Sequence, residues 1–140
     1  MLCLTKRTDY ALIALADLDK HREEVTSARH IARSFRIPVP LLMNILKDLQ
    51  RHGLIKSVRG ARGGYYLARD LNKISLADLL EIMEGPAKLV ACATSNGKAR
   101  PCSRGNECPI QMPMARVQKK FAQFLRKVNL ADLVGQGRSG

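Results

Sequence analysis

Cys92, Cys102 and Cys108 are the side chains of this sequence best suited to metal chemistry. Nine residues separate the first two and five the next two, so three thiols on one short stretch can converge on a single centre. Thiolates hold soft and borderline metals, and iron–sulfur clusters prefer cysteine. Three thiols leave one coordination position to another residue or to solvent. A structural zinc site usually takes four protein ligands in closer pairs such as C-x2-C, and neither spacing here is of that kind. No histidine lies between or after these cysteines. Zinc therefore ranks second to a cluster, and three unligated thiols on a loop stay open as the plain alternative.

A second group of residues suits phosphate chemistry. Ser57-Val58-Arg59-Gly60-Ala61-Arg62-Gly63-Gly64-Tyr65 joins two short apolar segments through three glycines and two arginines. The glycines let a hairpin tip approach a phosphate backbone closely, and Arg59 and Arg62 can then reach phosphates or a narrow minor groove. From Lys47 to Arg69 there are six basic residues and one acid, Asp48. Nucleophile–base pairs, paired carboxylates in a cleft-like setting and a nucleotide-binding glycine loop opening a helix are all missing, so the expectation is a binding protein, not an enzyme.

The elements that must carry these residues follow from periodicity. Ala28, Ile31, Ala32 and Phe35 form one helical stripe, and Leu42, Ile45, Leu46 and Leu49 form another; both follow the i, i+3, i+4, i+7 rule. Arg36-Ile37-Pro38-Val39 between them leaves room only for a tight corner, which predicts a helix-turn-helix. The second helix starts near Val39 or Pro40, where proline suits the first turn. Its outward side presents Pro40, Met43, Asn44, Lys47 and Arg51 to the major groove. Asn44 suits adenine, and Lys47 suits guanine or phosphate; each is equally readable as an ordinary exposed residue. Gly53 stops the helix. Leu54 to Val58 and Tyr65 to Leu67 then read as the two strands of a wing.

Around this motif, Thr5 to Asp19 reads as a helix with Tyr10, Ile13, Ala14 and Leu18 near one face. Ser75 and Asp78 form a capping box ahead of Leu76, Leu79, Leu80 and Met83, and Gly85-Pro86 ends that helix. Pro113 is expected to open a last long helix. Met114, Val117, Phe121, Phe124 and Val128 step along it by 3, 4, 3 and 4, a coiled-coil seam that predicts a homodimer. Leu130 to Val134 adds one turn. His21, His30 and His52 read as scattered surface residues, and Cys3 as a buried or idle thiol.

The whole chain sets outer limits. Its 140 residues fit one domain with an appendage. The net charge of +12 favours an anionic partner, nucleic acid before membrane. No apolar run reaches the roughly 20 residues of a membrane span, and no signal peptide opens the chain. The expected location is the cytoplasm, where four cysteines do not make a disulfide framework. Aromatics are 4% with no Trp, which disfavours a single-strand binder that stacks bases.

These residues resemble a known family. The chain is similar to the winged-helix regulators typified by IscR and NsrR, the Rrf-two family. The likeness rests on Leu4-Thr5-Lys6-Arg7-Thr8-Asp9-Tyr10-Ala11-Leu12, on Ile31-Ala32, and on Gly53-Leu54-Ile55-Lys56-Ser57-Val58-Arg59-Gly60 running into Gly63-Gly64-Tyr65. It covers nearly the whole chain. The resemblance implies a mainly α fold with a small β-wing: a winged helix-turn-helix over 1–84, a cysteine-bearing cluster loop over 85–112, a dimerisation helix and terminal turn over 113–134, and a tail over 135–140. It implies a homodimeric transcription factor, such as a repressor, on a double-stranded DNA operator, with a 2Fe–2S or 4Fe–4S cluster held by Cys92, Cys102 and Cys108. In IscR-like members the fourth ligand is a histidine three residues after the last cysteine; Gln111 stands there in this chain. In NsrR-like members it is an acid of the opening motif given by the other subunit, and Asp9 matches that place. An acid there also suits a helix N-terminus. The wing lacks the proline common in the family, and Leu41-Leu42-Met43 replaces a polar start of the recognition helix. The expected role is sensing of iron–sulfur status, redox state or nitric oxide. The alternative is a thiol-redox or zinc-stabilised regulator of the same fold.

Overall fold

The structure is a computed structural model, and it describes residues 3–89 and 107–134. Cys92 and Cys102 lie outside the described residues.

The chain opens with α1 (Lys6–Lys20), started by Thr5, whose hydroxyl accepts a hydrogen bond from the Thr8 amide. Then come α2 (Ala28–Phe35) and α3 (Val39–Arg51). Ser27 caps α2 by accepting from the His30 amide at 3.1 Å. Between α2 and α3 the chain turns at Arg36, in the left-handed region with φ 54°. That turn puts Ile37 into the core at 3% exposure, its amide bonded to the Ala32 carbonyl. Phe35, expected on the inward stripe of α2, is instead 43% exposed. It is the last helical residue, and the corner that follows sends Ile37 inward in its place.

Leu42, Ile45, Leu46 and Leu49 of α3 are fully buried, as the period demands. Gly53 at φ 77° releases the chain into β1 (Ile55–Val58), which pairs antiparallel with β2 (Gly64–Leu67) in the register Ile55–Leu67 to Val58–Gly64. Thr26, just ahead of α2, makes an isolated bridge to β2. Its amide donates to the Tyr65 carbonyl at 2.9 Å, and the Tyr65 amide donates back at 2.7 Å. Gly64 permits this approach, since a Cβ there would sit 2.4 Å from the Thr26 carbonyl oxygen.

A 3-10 turn (Leu71–Lys73) leads to α4 (Leu76–Glu84), whose capping box forms as expected between Ser75 and Asp78. The last helices are α5 (Gln111–Lys127) and α6 (Leu130–Val134). α5 starts two residues before Pro113. The proline fits inside the first turn because amides there have no helical partner to lose. The expected seam on α5 is divided. Gln118 and Leu125 are the buried residues, Met114, Phe121 and Val128 are half-buried, and Val117 and Phe124 are 47% and 61% exposed. After α5 the chain returns to the body: the Leu76 amide donates to the Val128 carbonyl at 2.7 Å, and the Leu130 amide to the Ile74 carbonyl at 2.9 Å. Leu130 is fully buried, in one core with Leu15, Leu18, Ile31, Ile45, Leu71 and Leu79. The fold is thus mainly helical, with a small wing held between α3 and the α1–α2 loop.

Candidate nucleic-acid interface

With the Leu42–Leu49 stripe turned inward, the opposite side of α3 is fixed by helical geometry. Pro40, Asn44, Lys47 and Arg51 fall at i, i+4, i+7 and i+11 and share the outermost line; all four are exposed. Met43, also expected outward, is half-buried on one flank. Two side chains hold this line from either side. Gln50 donates from Nε2 to Ser57 Oγ of β1 at 3.1 Å. On the other flank, Asp48 pairs with Arg7 of α1 and lies 3.8 Å from Arg51. The wing stands beside the helix with Arg59 and Arg62 exposed at its tip. The tip is a tight turn: Gly60 has φ 119°, the Gly63 amide donates to its carbonyl at 3.0 Å, and a Cβ on Gly63 would press on the Val58 carbonyl. A polar helix line bordered by a glycine-built basic finger suits a grooved polyanion.

Pro40, Asn44, Lys47, Arg51, Arg59 and Arg62 are exposed where the sequence expected them. Sequence reasoning missed Arg7, Asp48 and Gln50 as the residues that orient them, because each acts through a partner on another element. The basic start of the first helix was the only signal for Arg7.

The metal-ligating candidates are only partly described. Cys108 is half-buried just ahead of α5, its carbonyl accepting from the Gln111 amide at 3.3 Å. Asp9 is exposed in the first turn of α1. Among the described residues no three His, Cys, Asp or Glu side chains gather as a metal site. Cys3 is exposed, at an open cleft of about 500 Å³ shared with Leu4, Leu80, Glu84 and Phe121. Gln118, 6% exposed, ties α5 to the segment after α4: its Oε1 accepts from the Leu89 amide at 2.7 Å, and its Nε2 donates to the Ala87 carbonyl at 2.6 Å.

Compared with known proteins, residues 4–136 match the Rrf2 family, described as iron-dependent transcriptional regulators. The chain belongs to the Rrf2 family. A relative in Aquifex aeolicus, named as an HTH-type transcriptional regulator, is 31% identical over 127 residues, 89% of this chain and 86% of its own. Among solved structures, T. potens IscR is 28% identical with a TM-score of 0.72, covering 98% of this chain and 89% of that one. CymR, the global cysteine regulator of B. subtilis, is 25% identical with a TM-score of 0.75, covering 97% and 98%. This Rrf2 chain is therefore a winged-helix transcriptional regulator of a DNA-binding family, and its role is not enzymatic. Among the described residues no helix is long and apolar enough to cross a membrane.

Proposed function

We propose that this Rrf2 chain is a homodimeric, sequence-specific regulator that binds duplex DNA through α3 and the wing and senses iron–sulfur status, redox state or nitric oxide through a cysteine-ligated cluster. The observation that carries the DNA half is the exposed line Pro40, Asn44, Lys47 and Arg51 beside Arg59 and Arg62, on a chain of net charge +12. Asn44 and Lys47 read base edges, Arg51 lies toward the backbone, and the wing arginines take phosphate or the minor groove. Pro40 and the half-buried Met43 border the base-reading pair.

The dimer reading is supported by the open side of α5. Ile110, Val117 and Phe124, seven residues apart, are 58%, 47% and 61% exposed, a row of large apolar side chains on one terminal helix and its lead-in. A second copy covering that row spaces two recognition helices for paired half-sites. The functional division follows: 1–84 for DNA, 85–112 for the cluster, 113–134 for the dimer, 135–140 as a tail.

For the cluster, the donor set of Cys92, Cys102 and Cys108 with a carboxylate suits iron chemically. Asp9, exposed in the first turn of α1, is free to act as the fourth ligand across the dimer. When bound, such a cluster supplies a redox-active iron centre whose loss frees three thiolates. Cys108 lies just ahead of α5 and Gln118 of α5 holds Ala87 and Leu89, so a group bound at Cys108 would act on the helix that sets dimer spacing. Iron and acid-labile sulfide assays on anaerobic protein, with gel shifts of loaded and cluster-free forms, test it. Iron-bound protein with state-dependent affinity is the expected result; equal affinity and sequence preference in both forms removes the sensor role.

The likeness to the global cysteine regulator favours one alternative, a regulator whose thiols respond directly to oxidation or hold zinc. Iron-free protein whose DNA binding still changes with oxidant or with zinc removal would favour it.

A further inference from the structure

The recognition line of α3 carries an acid on its border. Asp48, 23% exposed at its side chain, presents Oδ2 to Arg7 of α1 and Oδ1 to Arg51, 3.8 Å away. Arg7 stands in the first turn of α1, where a cation opposes the helix dipole, so its own helix does nothing to hold it. Arg51 ends the recognition helix with its side chain 74% exposed. The Arg51 pair, open to water, contributes little to folding, whereas the half-buried Arg7 pair ties α1 to α3. The same carboxylate also acts on an approaching polyanion. Asp48 is the one acid among six bases between Lys47 and Arg69.

We propose that Asp48, set between Arg7 and Arg51 at the edge of the α3 line, is a positioning residue that holds two guanidinium groups back from phosphate and so lowers the sequence-independent part of DNA affinity. This rests on the reading of α3's exposed line as the DNA-facing one. Binding to non-matching duplex is almost wholly electrostatic, so a fixed negative charge that also engages two arginines subtracts from it directly. Binding to a matching duplex adds base-edge hydrogen bonds from neighbours such as Asn44 and Lys47, which the carboxylate leaves intact. The penalty lowers the sequence-independent part of the affinity for every duplex, and base-edge contacts supply a larger share of what remains.

The test uses the full chain and two probes: mixed-sequence genomic duplex, and duplex enriched from a random pool by the unmodified protein. Affinities are measured between about 50 and 200 mM salt, a range over which phosphate contacts dominate the change. Asp48→Asn should bind mixed-sequence duplex about tenfold more tightly at the low end. Its salt slope should steepen by up to about two, near one for each arginine released. The enriched duplex should tighten by a similar factor, and Asp48→Glu should restore the original affinity and slope. The double variant Arg7→Gln, Asp48→Asn should steepen the slope by only about one; it also carries the comparison if Asp48→Asn alone does not fold. A folded Asp48→Asn with unchanged slope and affinity overturns the proposal. Arg51→Gln and Asn44→Ala separate the two layers of inference. If both leave DNA binding untouched, the reading of the α3 face has failed and the proposal with it. If they weaken binding while Asp48→Asn changes nothing, only the role of Asp48 has failed.

Discussion

Glu84, the last residue of α4, caps α1 through Thr5. Its Oε1 accepts from the Thr5 amide at 2.9 Å, from the Thr5 hydroxyl, and from the Thr8 hydroxyl at 2.7 Å. A carboxylate at a helix C-terminus is unfavourable for its own helix, whereas at the N-terminus of another it is favourable. One side chain thus locks two helices that stand far apart in sequence.

The lock makes acid stability a test. Burial raises the Glu84 pKa, but the hydrogen bonds from Thr5 and Thr8 outweigh it and leave the carboxyl below the ordinary 4.5. A folded pKa below the unfolded one means that the contribution is complete above the unfolded value. It is lost as pH falls through the folded value. Glu84→Gln should therefore cost about 1 kcal/mol near neutral pH, the size of a helix cap, reduced by the exposure of the site. The deficit against the unmodified chain should begin to shrink below pH 4.5 and level off once pH has fallen past the lower folded value, where neither form carries the charge. Urea unfolding at neutral and acid pH measures this, and a deficit that is constant with pH counts against the account.

How far such features were readable from residues alone depends on their range. The helices α2, α3 and α4 were legible because Leu42, Ile45, Leu46 and Leu49 must all face one way, and because Ser75 and Asp78 cap locally. The wing was legible from glycines that only a tight, close-packed hairpin needs. Glu84 to Thr5, Arg7 to Asp48 and Thr26 to Tyr65 are pairs made by the fold, and no local pattern announces them. Phe35 misled for the same reason: its spacing fits the stripe, but the left-handed turn at Arg36 gives the inward place to Ile37.

The pairing of Thr26 with Tyr65 depends on Gly64. A methyl group there would lie 2.4 Å from the Thr26 carbonyl oxygen and 2.8 Å from the Ser27 amide nitrogen, both backbone atoms with little freedom to retreat. Gly64→Ala should destabilise the fold by about 1–3 kcal/mol, as overpacking does. It should also speed amide exchange at Thr26 and Tyr65 before the rest of the chain. Unchanged exchange at those two amides would show that the bridge does not depend on the missing side chain.

Leu130 and Phe124 lie six residues apart in sequence and should respond in opposite ways. Leu130 is fully buried against the winged core, so Leu130→Ala should cost about 2–5 kcal/mol in unfolding. Phe124 is 61% exposed, so Phe124→Glu should leave a single chain folded while it opposes the apolar contact proposed for the dimer. Circular dichroism with light scattering separates the two. A folded monomer from Phe124→Glu is the expected result, and an undisturbed dimer would move the interface away from this face of α5.

Arg59 gives the sharpest test of the wing. It follows β1 directly and is exposed, next to Gly60, whose φ of 119° shapes the tip. No partner of its own chain is needed to hold it, so its removal should leave the fold intact. A phosphate or minor-groove cation lost from the complex should lower affinity for every duplex and reduce the salt slope by about 0.9. Arg59→Ala should therefore bind more weakly at low salt and converge on the unmodified protein as salt rises. Lys47→Ala on α3 should behave differently if Lys47 reads a base, with a loss confined to the preferred sequence of about 1–3 kcal/mol. Isotherms for two duplexes at several salt concentrations distinguish the two patterns. Arg59→Ala with an unchanged slope would remove the wing tip from the interface, whatever became of α3.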